Sequence, residues 1–138
     1  MYETLTAFVT SLETSQLGTM VIEVIDKNKP EHSIQLPYAS YERTVMDFIQ
    51  AVYTFADEHE EMGIYHYYDI LKKNNIQWES RSMEEADVEN LGGDAVVALI
   101  MGATRADRFC EGALLDFLKE GYIVKWLNRL KELDERNS

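Results

Sequence analysis

The segment 95–103 constrains the fold most, because it reads Ala-Val-Val-Ala-Leu-Ile-Met-Gly-Ala and is apolar on every side. A helix without a polar face has to be buried all round, so we expect this segment to form the central helix of the domain. Its small residues, Ala95, Ala98 and Gly102, allow a neighbouring helix to approach closely. This is the longest apolar run in the chain, and it is far shorter than the ~18 residues that cross a bilayer. We therefore expect no membrane-spanning segment.

The rest of the chain supplies enough apolar surface for one domain. It has 138 residues, of which 46% are hydrophobic and 11% aromatic, as in ordinary globular proteins and unlike disordered chains. This length suits a single domain over residues 1–138. The first residues do not resemble a secretory leader, and the one cysteine, Cys110, excludes an internal disulfide. These features favour a cytoplasmic protein.

The net charge of −12 is distributed unevenly along the sequence. Residues 105–138 carry seven basic and seven acidic side chains, whereas residues 1–104 carry 6 basic and 18 acidic ones. A strongly negative field repels phosphate backbones, whose binding requires lysine and arginine. Direct binding to nucleic acids or to anionic membranes is therefore disfavoured, and the acidity is more simply explained by solubility.

Hydrophobic periodicity predicts about six helices packed around the central one. We expect them over Leu5–Leu12, after Ser40, from Ile64 to Asn75, from Ser82, from Phe109 to Gly121 and from Ile123 to Leu133. Ser40 is expected to cap the second of these, Ser82 to open a capping box with Glu85, and Asp94 to cap the central helix. Trp78 is expected to fold back onto the core from a loop.

A small N-terminal β-hairpin completes the predicted fold. The run Thr19–Asp26 is rich in β-branched residues, which favour strands. Asn28-Lys29-Pro30 marks a turn, and Ser33–Leu36 then alternates between polar and apolar residues. The predicted fold class is therefore α+β, mostly α.

The nucleophiles and possible metal ligands do not form a catalytic pattern. Cys110 lies on the same helical stripe as Phe109 and Ala113, which predicts a cysteine buried in the core. His66 and Asp69 share a helix face opposite the apolar stripe, so we expect that face to be solvated. His32 lies in the predicted hairpin without an evident partner. No phosphate-binding glycine loop or zinc motif is present, so no catalytic residue, metal ligand or cofactor is predicted.

The candidate site is the charged corner before the last two helices, formed by Arg105, Asp107, Arg108 and Glu111. In a structural interpretation, Asp107 caps the following helix and Arg108 pairs with Glu111 at i, i+3. In a functional interpretation, Arg105 and Arg108 hold a small anion or carboxylate at the helix N-terminus. Glu111 and Tyr122 would then complete a concave site beside Cys110.

The same region carries a resemblance to a known family. The residues are Arg108-Phe109-Cys110-Glu111-Gly112-Ala113-Leu114, Gly121-Tyr122-Ile123, Leu127, Arg129-Leu130 and Glu132-Leu133. Together they resemble the C-terminal hallmark of a bacterial family catalogued as domain of unknown function 6508. The resemblance is strongest over residues 95–133 and weaker over Tyr41–Val52. It implies no activity, cofactor or catalytic residue.

Two hypotheses of function remain from the sequence. The first is a non-enzymatic interaction or regulatory module that binds a protein partner or a second copy of itself, because aromatic residues (Tyr65, Tyr67, Tyr68, Trp78) offer a contact surface. A variant of it is a nucleic-acid mimic that blocks a basic site on another protein. The second hypothesis is a small-ligand binder or enzyme with a pocket near Arg105, Arg108 and Glu111. The absence of a catalytic pattern favours the first.

Overall fold

The computed structural model describes residues 1–21 and 38–136 of the chain. Helices dominate these residues and two short strands form an antiparallel pair, which confirms the α+β, mostly α, fold. The helices are α1 (Glu3–Thr6), α2 (Val9–Thr14), α3 (Arg43–Glu58), α4 (Tyr67–Lys73), α5 (Ser80–Glu84), α6 (Gly93–Ala106), α7 (Ala113–Lys119) and α8 (Tyr122–Arg136). Turns of 3-10 helix lie at Glu60–Met62, Ile64–His66 and Val88–Asn90, and the strands are β1 (Gly18–Val21) and β2 (Tyr38–Tyr41). None of the helices described is long and apolar enough to cross a membrane.

Helix α6 is buried along most of its length. Every residue from Ala95 to Thr104 is buried, as an all-apolar helix requires, and the helix packs against α3, α4, α7 and α8. An added Cβ at Gly102 would come within 3.3 Å of Met83 and of Trp78. The Trp78 indole N–H also donates to the Gly102 carbonyl oxygen at 2.9 Å. Because Gly102 has no side chain, α5 and the loop before it can pack closely on α6. Trp78 packs on the core, as predicted.

Two amphipathic helices enclose the other side of the core. Helix α3 buries Val45, Phe48, Val52 and Phe55, and α8 buries Ile123, Trp126, Leu127 and Leu130. These are the faces that the 3.6-residue period predicts. The predicted first helix is instead divided into α1 and α2, because the Phe8 N–H donates to the Leu5 carbonyl in a tighter turn. Both short helices pack against α3 and α8.

The antiparallel strand pair confirms the predicted hairpin: β1 overlaps the start of the predicted strand Thr19–Asp26, and β2 follows the predicted strand Ser33–Leu36 along the chain. In the observed register Thr19 faces Ser40 and Val21 faces Tyr38. Ser40 therefore lies in β2 and does not cap a helix; α3 begins at Arg43, after Glu42. The pairing of Ser40 with β1 therefore outweighs the preference of serine for a helix N-cap. The predicted turn at Asn28-Lys29-Pro30, the predicted strand Ser33–Leu36 and His32 lie outside the described residues.

Two further helix caps differ from the prediction. Ser82 lies inside α5, and its hydroxyl accepts the Gln77 backbone N–H at 2.8 Å, so it fixes the preceding loop rather than opening a capping box. Asp94 lies in the first turn of α6, which begins at Gly93 after Gly92 as its N-cap. A carboxylate in the first turn still stabilises the helix dipole.

One buried charge joins α8 to the turn before α6. Arg129 is buried, and its guanidinium donates to the Leu91 carbonyl at 3.2 Å and to the Glu132 carboxylate at 3.3 Å. Its Nε has no hydrogen-bond partner among the described residues. The side chain therefore connects α8 to Leu91, which follows the 3-10 turn Val88–Asn90.

Candidate functional site

The corner between α6 and α7 is formed by turns over residues 107–112 rather than by the start of a helix. Helix α7 begins at Ala113, after Gly112 in the left-handed conformation with φ +87°. The prediction that Phe109 and Cys110 belong to the core is therefore wrong: Phe109 is 76% exposed and Cys110 is exposed. The core stripe starts only after Gly112, with Ala113, Leu114, Phe117 and Leu118 buried.

Asp107 holds the first turn of α7 from outside the helix. Its Oδ1 accepts the Leu114 backbone N–H at 2.9 Å, and its Oδ2 accepts the Tyr41 hydroxyl from strand β2. The Ala113 N–H is taken by the Cys110 carbonyl at 3.0 Å. Asp107 thus performs the predicted capping, but as a residue seven positions upstream of Leu114.

The Tyr41 hydroxyl is kept in its protonated form. Partial burial raises the pKa of Tyr41 well above its usual value, and the hydrogen bond to Asp107 raises it further. Ionising this phenol would place two negative charges against each other in a half-buried site. Tyr41 is therefore a permanent donor to Asp107 near neutral pH.

Glu111 and Gly112 fix the strand pair against the same corner. The Glu111 Oε1 accepts the Ala39 backbone N–H at 2.8 Å, on the edge of β2 that faces away from β1. An added Cβ at Gly112 would lie 2.7 Å from the Met20 sulfur of β1. Asp107, Glu111 and Gly112 therefore hold the two strands against the corner. Arg108 and Glu111, which were predicted to pair, form no ion pair with each other.

The basic residues of the corner form no ion pair with the residues that the structure describes. Arg105 is half-buried in the last turn of α6, close enough to the Tyr65 hydroxyl to affect it electrostatically, and Arg108 is exposed. The ion pairs in the described part of the chain include Arg43–Asp47, Arg81–Glu85 and Arg129–Glu132, but none with Arg105 or Arg108. The corner is thus divided by charge: its acidic members contact the strands, and its basic members form no ion pair with any residue of 1–21 and 38–136.

Tyr122 lies apart from these residues. It begins α8, and its ring centroid is 6.4 Å from that of Phe117 and 6.4 Å from that of Trp126. No contact among the described residues joins it to Arg105, Arg108 or Glu111. The structure therefore places Tyr122 in an aromatic cluster of the core.

An apolar groove lies on the solvent side of the corner. Its volume is about 140 Å³, and we call it the Phe109 groove. One wall comes from α5 and the loop before it, and the other from the end of α6 and the start of α7. The lining residues are Trp78, Glu79, Ser80, Met83, Ala106, Phe109, Cys110, Ala113 and Phe117. Cys110 does line a concave surface, but none of Arg105, Arg108, Glu111 and Tyr122 belongs to it.

Trp78 gives the groove a rigid edge. Its ring meets Phe109 edge-on, with the centroids 5.0 Å apart and the planes at 88°. On its other side it meets Tyr67 at 5.3 Å, and its N–H is bonded to Gly102. The exposed Phe109 ring therefore rests on a side chain that is itself fixed in place. The sequence did not indicate this pairing, since the two aromatics are far apart in the chain.

Two wider and more polar depressions lie beyond Trp78. They measure about 560 and 670 Å³ and share Asn75, Ile76, Gln77 and Glu79. Polar and apolar surface contribute about equally to their lining, and Tyr68 is the exposed aromatic of the smaller one. We favour the smaller Phe109 groove because its lining is mainly apolar and includes Phe109, the most exposed large hydrophobic side chain of the described residues.

The residues considered for catalysis are dispersed. His66 and Asp69 are both exposed on the outer face, as predicted, and His59 stacks on Phe55 at 4.1 Å. The described residues contain no group of three or more histidine, cysteine or acidic side chains that could hold a metal ion. No hydrogen bond connects the Cys110 thiol to a base in the described ranges.

The comparisons with known proteins give a family without a described activity. No curated protein and no solved structure matches the chain. The model of a family of unknown function, DUF6508, matches residues 2–136. This match extends the resemblance of the C-terminal third to nearly the whole sequence. The chain therefore belongs to DUF6508, a family of unknown function.

Proposed function

We propose that this chain is a non-enzymatic binding module that engages another protein through the Phe109 groove. The observation that carries the proposal is the exposure of Phe109, at 76%, together with its edge-on contact with Trp78. Aromatic residues beside an apolar depression are the usual anchors of protein interfaces. Full burial of a phenylalanine side chain yields about 2 kcal/mol, so a partner that covers this ring gains free energy directly.

The fixed position of the groove side chains supports a binding role for the exposed Phe109. Trp78 is fixed by its hydrogen bond to Gly102 and by its contact with Tyr67. A side chain that is already ordered loses little conformational entropy when a partner arrives. Phe109 is also exposed in a turn that Asp107 and Glu111 hold firmly against β2. The contact surface therefore exists before binding.

We also propose that the module works in the cytoplasm. Its free cysteine, Cys110, is exposed at the groove. Exposed thiols persist in reducing compartments and become oxidised or paired outside them.

The test is a selection from a random peptide library on the immobilised protein, with a Phe109→Ala variant for counter-selection. We expect peptides that bind the native protein and not the variant. Met46→Ala is the matched control, because Met46 is 52% exposed on α3, on another element; it should retain binding. Circular dichroism and thermal melting verify that both variants fold.

Self-association is the second arm of the same test. Sedimentation of the native protein over a range of concentrations shows whether a second copy occupies the groove, and Phe109→Ala should then abolish the dimer. If the protein remains monomeric and no Phe109-dependent peptide is selected, the proposed function is wrong.

A second candidate function is the binding of a small anion or carboxylate by Arg105 and Arg108. It is favoured by the absence of ion pairs at both side chains in the described part of the chain. Thermal melting with phosphate, succinate and glutamate tests it: a stabilisation that Arg108→Gln removes would support this ligand class, and no shift would exclude it at the concentrations used.

A further inference from the structure

The Phe109 groove carries negative charge at its edge. Glu79 is exposed, and among the residues that the structure describes it is the one charged side chain of the groove lining. No ion pair joins Glu79 to another residue of 1–21 and 38–136. A mainly apolar lining therefore ends at a carboxylate that no described cation neutralises.

Further carboxylates lie along both walls of the groove. On α5, Glu84 follows the lining residue Ser80 by four positions. On the α7 wall, Asp116 and Glu120 follow the lining residue Ala113 by three and seven positions. Residues at these spacings share a helix face. Each wall therefore presents acidic side chains on the face that also lines the groove.

The carboxylates of the two walls are close enough to repel one another. Burial raises the pKa of the Glu84 carboxyl above its usual value. The negative charges of Glu120, Asp116 and Glu85 raise this pKa further. Of these four acids, Glu85 alone forms an ion pair in the described ranges, with Arg81 at 3.1 Å. A cation placed between α5 and α7 would relieve the repulsion.

Other cations on the elements around the groove do not pair with these carboxylates. Arg105, Arg108 and Lys119 lie outside the groove lining. None of them forms an ion pair with a residue of 1–21 or 38–136. The groove therefore combines an apolar lining with acidic walls, and the complementary ligand is both apolar and basic.

We propose that the partner segment carries a large apolar side chain flanked by lysine or arginine residues. The apolar side chain enters the Phe109 groove, and the basic residues contact the carboxylates along α5 and α7. This inference rests on the proposed function and adds the chemistry of the ligand. The groove volume of about 140 Å³ suits one aromatic or large aliphatic side chain, since a cavity of about 150 Å³ holds a benzene molecule.

The composition of selected peptides tests the inference. Peptides are selected from a random library on the native protein and counter-selected on Phe109→Ala. We expect enrichment of lysine and arginine next to an aromatic or large aliphatic residue. A synthetic peptide with the most enriched sequence, and two analogues with its basic residues replaced by serine or by glutamate, are then compared by fluorescence anisotropy. The basic peptide should bind most tightly, and its affinity should fall as salt is raised.

Single-charge variants separate the groove carboxylates from the overall acidity of the chain. The net charge of −12 attracts any basic peptide, so the control removes one negative charge elsewhere. Glu79→Gln and Glu84→Gln should each weaken binding of the basic peptide by roughly threefold to tenfold, as for a charge at an interface rim. Glu58→Gln, on the exposed surface of α3, should have a much smaller effect. Arg108→Gln should leave binding unchanged or strengthen it.

The α7 wall is tested independently of α5. A double variant, Asp116→Asn with Glu120→Gln, should weaken binding at least as much as Glu84→Gln does, because it removes two carboxylates. Both acids are exposed, so the fold should tolerate the change, and thermal melting verifies that each variant is folded.

The outcomes separate this inference from the proposed function. Phe109-dependent peptides enriched in aspartate or glutamate, or without any charge preference, would overturn the basic ligand and leave the binding module intact. The same holds if the groove variants weaken binding no more than Glu58→Gln does. If a second copy of the chain occupies the groove, the basic segment is wrong although the groove remains the binding site. If the protein is monomeric and no selected peptide depends on Phe109, both proposals are wrong.

Discussion

At the scale of single residues, the corner between α6 and α7 separates two kinds of interaction. Asp107 and Glu111 accept hydrogen bonds from strand β2, whereas Phe109 and Arg108 face solvent. The two ends of this turn, at Asp107 and Glu111, therefore serve the fold, and the three residues between them lie at the surface. The stability of the corner should depend on the first group, and binding on the second.

The Tyr41–Asp107 hydrogen bond should contribute measurably to stability. Tyr41→Phe removes the hydroxyl and leaves a half-buried carboxylate oxygen without its donor, which should cost about 1.5–3 kcal/mol. Tyr65→Phe is the matched control, because the Tyr65 hydroxyl donates to Asp57 at 2.7 Å on the exposed surface; it should cost less than about 0.5 kcal/mol. Urea unfolding gives both values. If both variants lose the same free energy of unfolding, the half-buried Tyr41–Asp107 hydrogen bond contributes no more to stability than the exposed Tyr65–Asp57 one.

Glu84 should make stability depend on pH in the acidic range. Burial raises the pKa of the Glu84 carboxyl, and the negative charges of Glu120, Asp116 and Glu85 raise it further. The folded state then binds this proton more tightly than the unfolded chain does, so the stabilisation is present below the usual pKa and is lost as pH rises through the raised value.

Glu84→Gln should therefore be more stable than the native protein at about pH 7, and the difference should shrink towards about pH 4. Urea unfolding at several pH values measures it, with the exposed Glu89→Gln as the control for a general loss of negative charge. A constant difference across this range would exclude a raised pKa at Glu84.

At the scale of elements, hydrophobic pattern predicted the helices that are built from one continuous stretch. Helices α3, α6 and α8 bury the residues that their periodicity indicates. The pattern gave a wrong prediction of burial for Phe109 and Cys110. They share the helical period of Ala113 and Phe117, but they precede Gly112, after which α7 begins. That break depends on bonds from Asp107 and Glu111 to residues 66 and 72 positions away, and a local pattern contains no information about such contacts.

The same reason explains the errors at the helix starts and at the candidate site. Ser40 has the side chain of a good cap, but it pairs with Thr19 in the sheet. The cluster of Arg105, Arg108 and Glu111 was recognised from its charge, whereas the groove beside it was not. Trp78 and Phe109 come from different parts of the chain, and only the packing of α5 on α6 brings them together.

The contact of the corner with β1 can be isolated by two glycine substitutions. Gly112 and Gly121 have nearly the same left-handed φ, +87° and +86°, so alanine imposes a similar backbone cost of about 1 kcal/mol at each. An added Cβ at Gly112 meets the Met20 sulfur at 2.7 Å, whereas at Gly121 it meets nothing within 4 Å. Gly112→Ala should therefore be the more destabilising of the two.

Thermal melting measures the difference, and Met20→Ala combined with Gly112→Ala should recover most of the extra loss. If Gly112→Ala and Gly121→Ala lower the melting temperature equally, Met20 of β1 is not in close contact with Gly112.

At the scale of the whole molecule, the net charge of −12 should oppose the compact state. Self-repulsion among like charges destabilises folding and is screened by salt within a Debye length of about 8 Å at physiological ionic strength. We expect the melting temperature to rise with sodium chloride from low to physiological concentrations. Tetramethylammonium chloride should produce the same rise, since screening does not depend on the cation. A rise with sodium alone would indicate a specific ion site instead.

The two tryptophans report on different parts of the protein. Trp126 is completely buried in the core and responds to unfolding, whereas Trp78 is half-buried at the edge of the Phe109 groove. Replacing Trp126 with phenylalanine would leave a chain with a single tryptophan, Trp78, placed where a partner would bind. Its emission maximum and its quenching by acrylamide would then follow occupancy of the groove without any added label, in the same cuvette in which folding is checked.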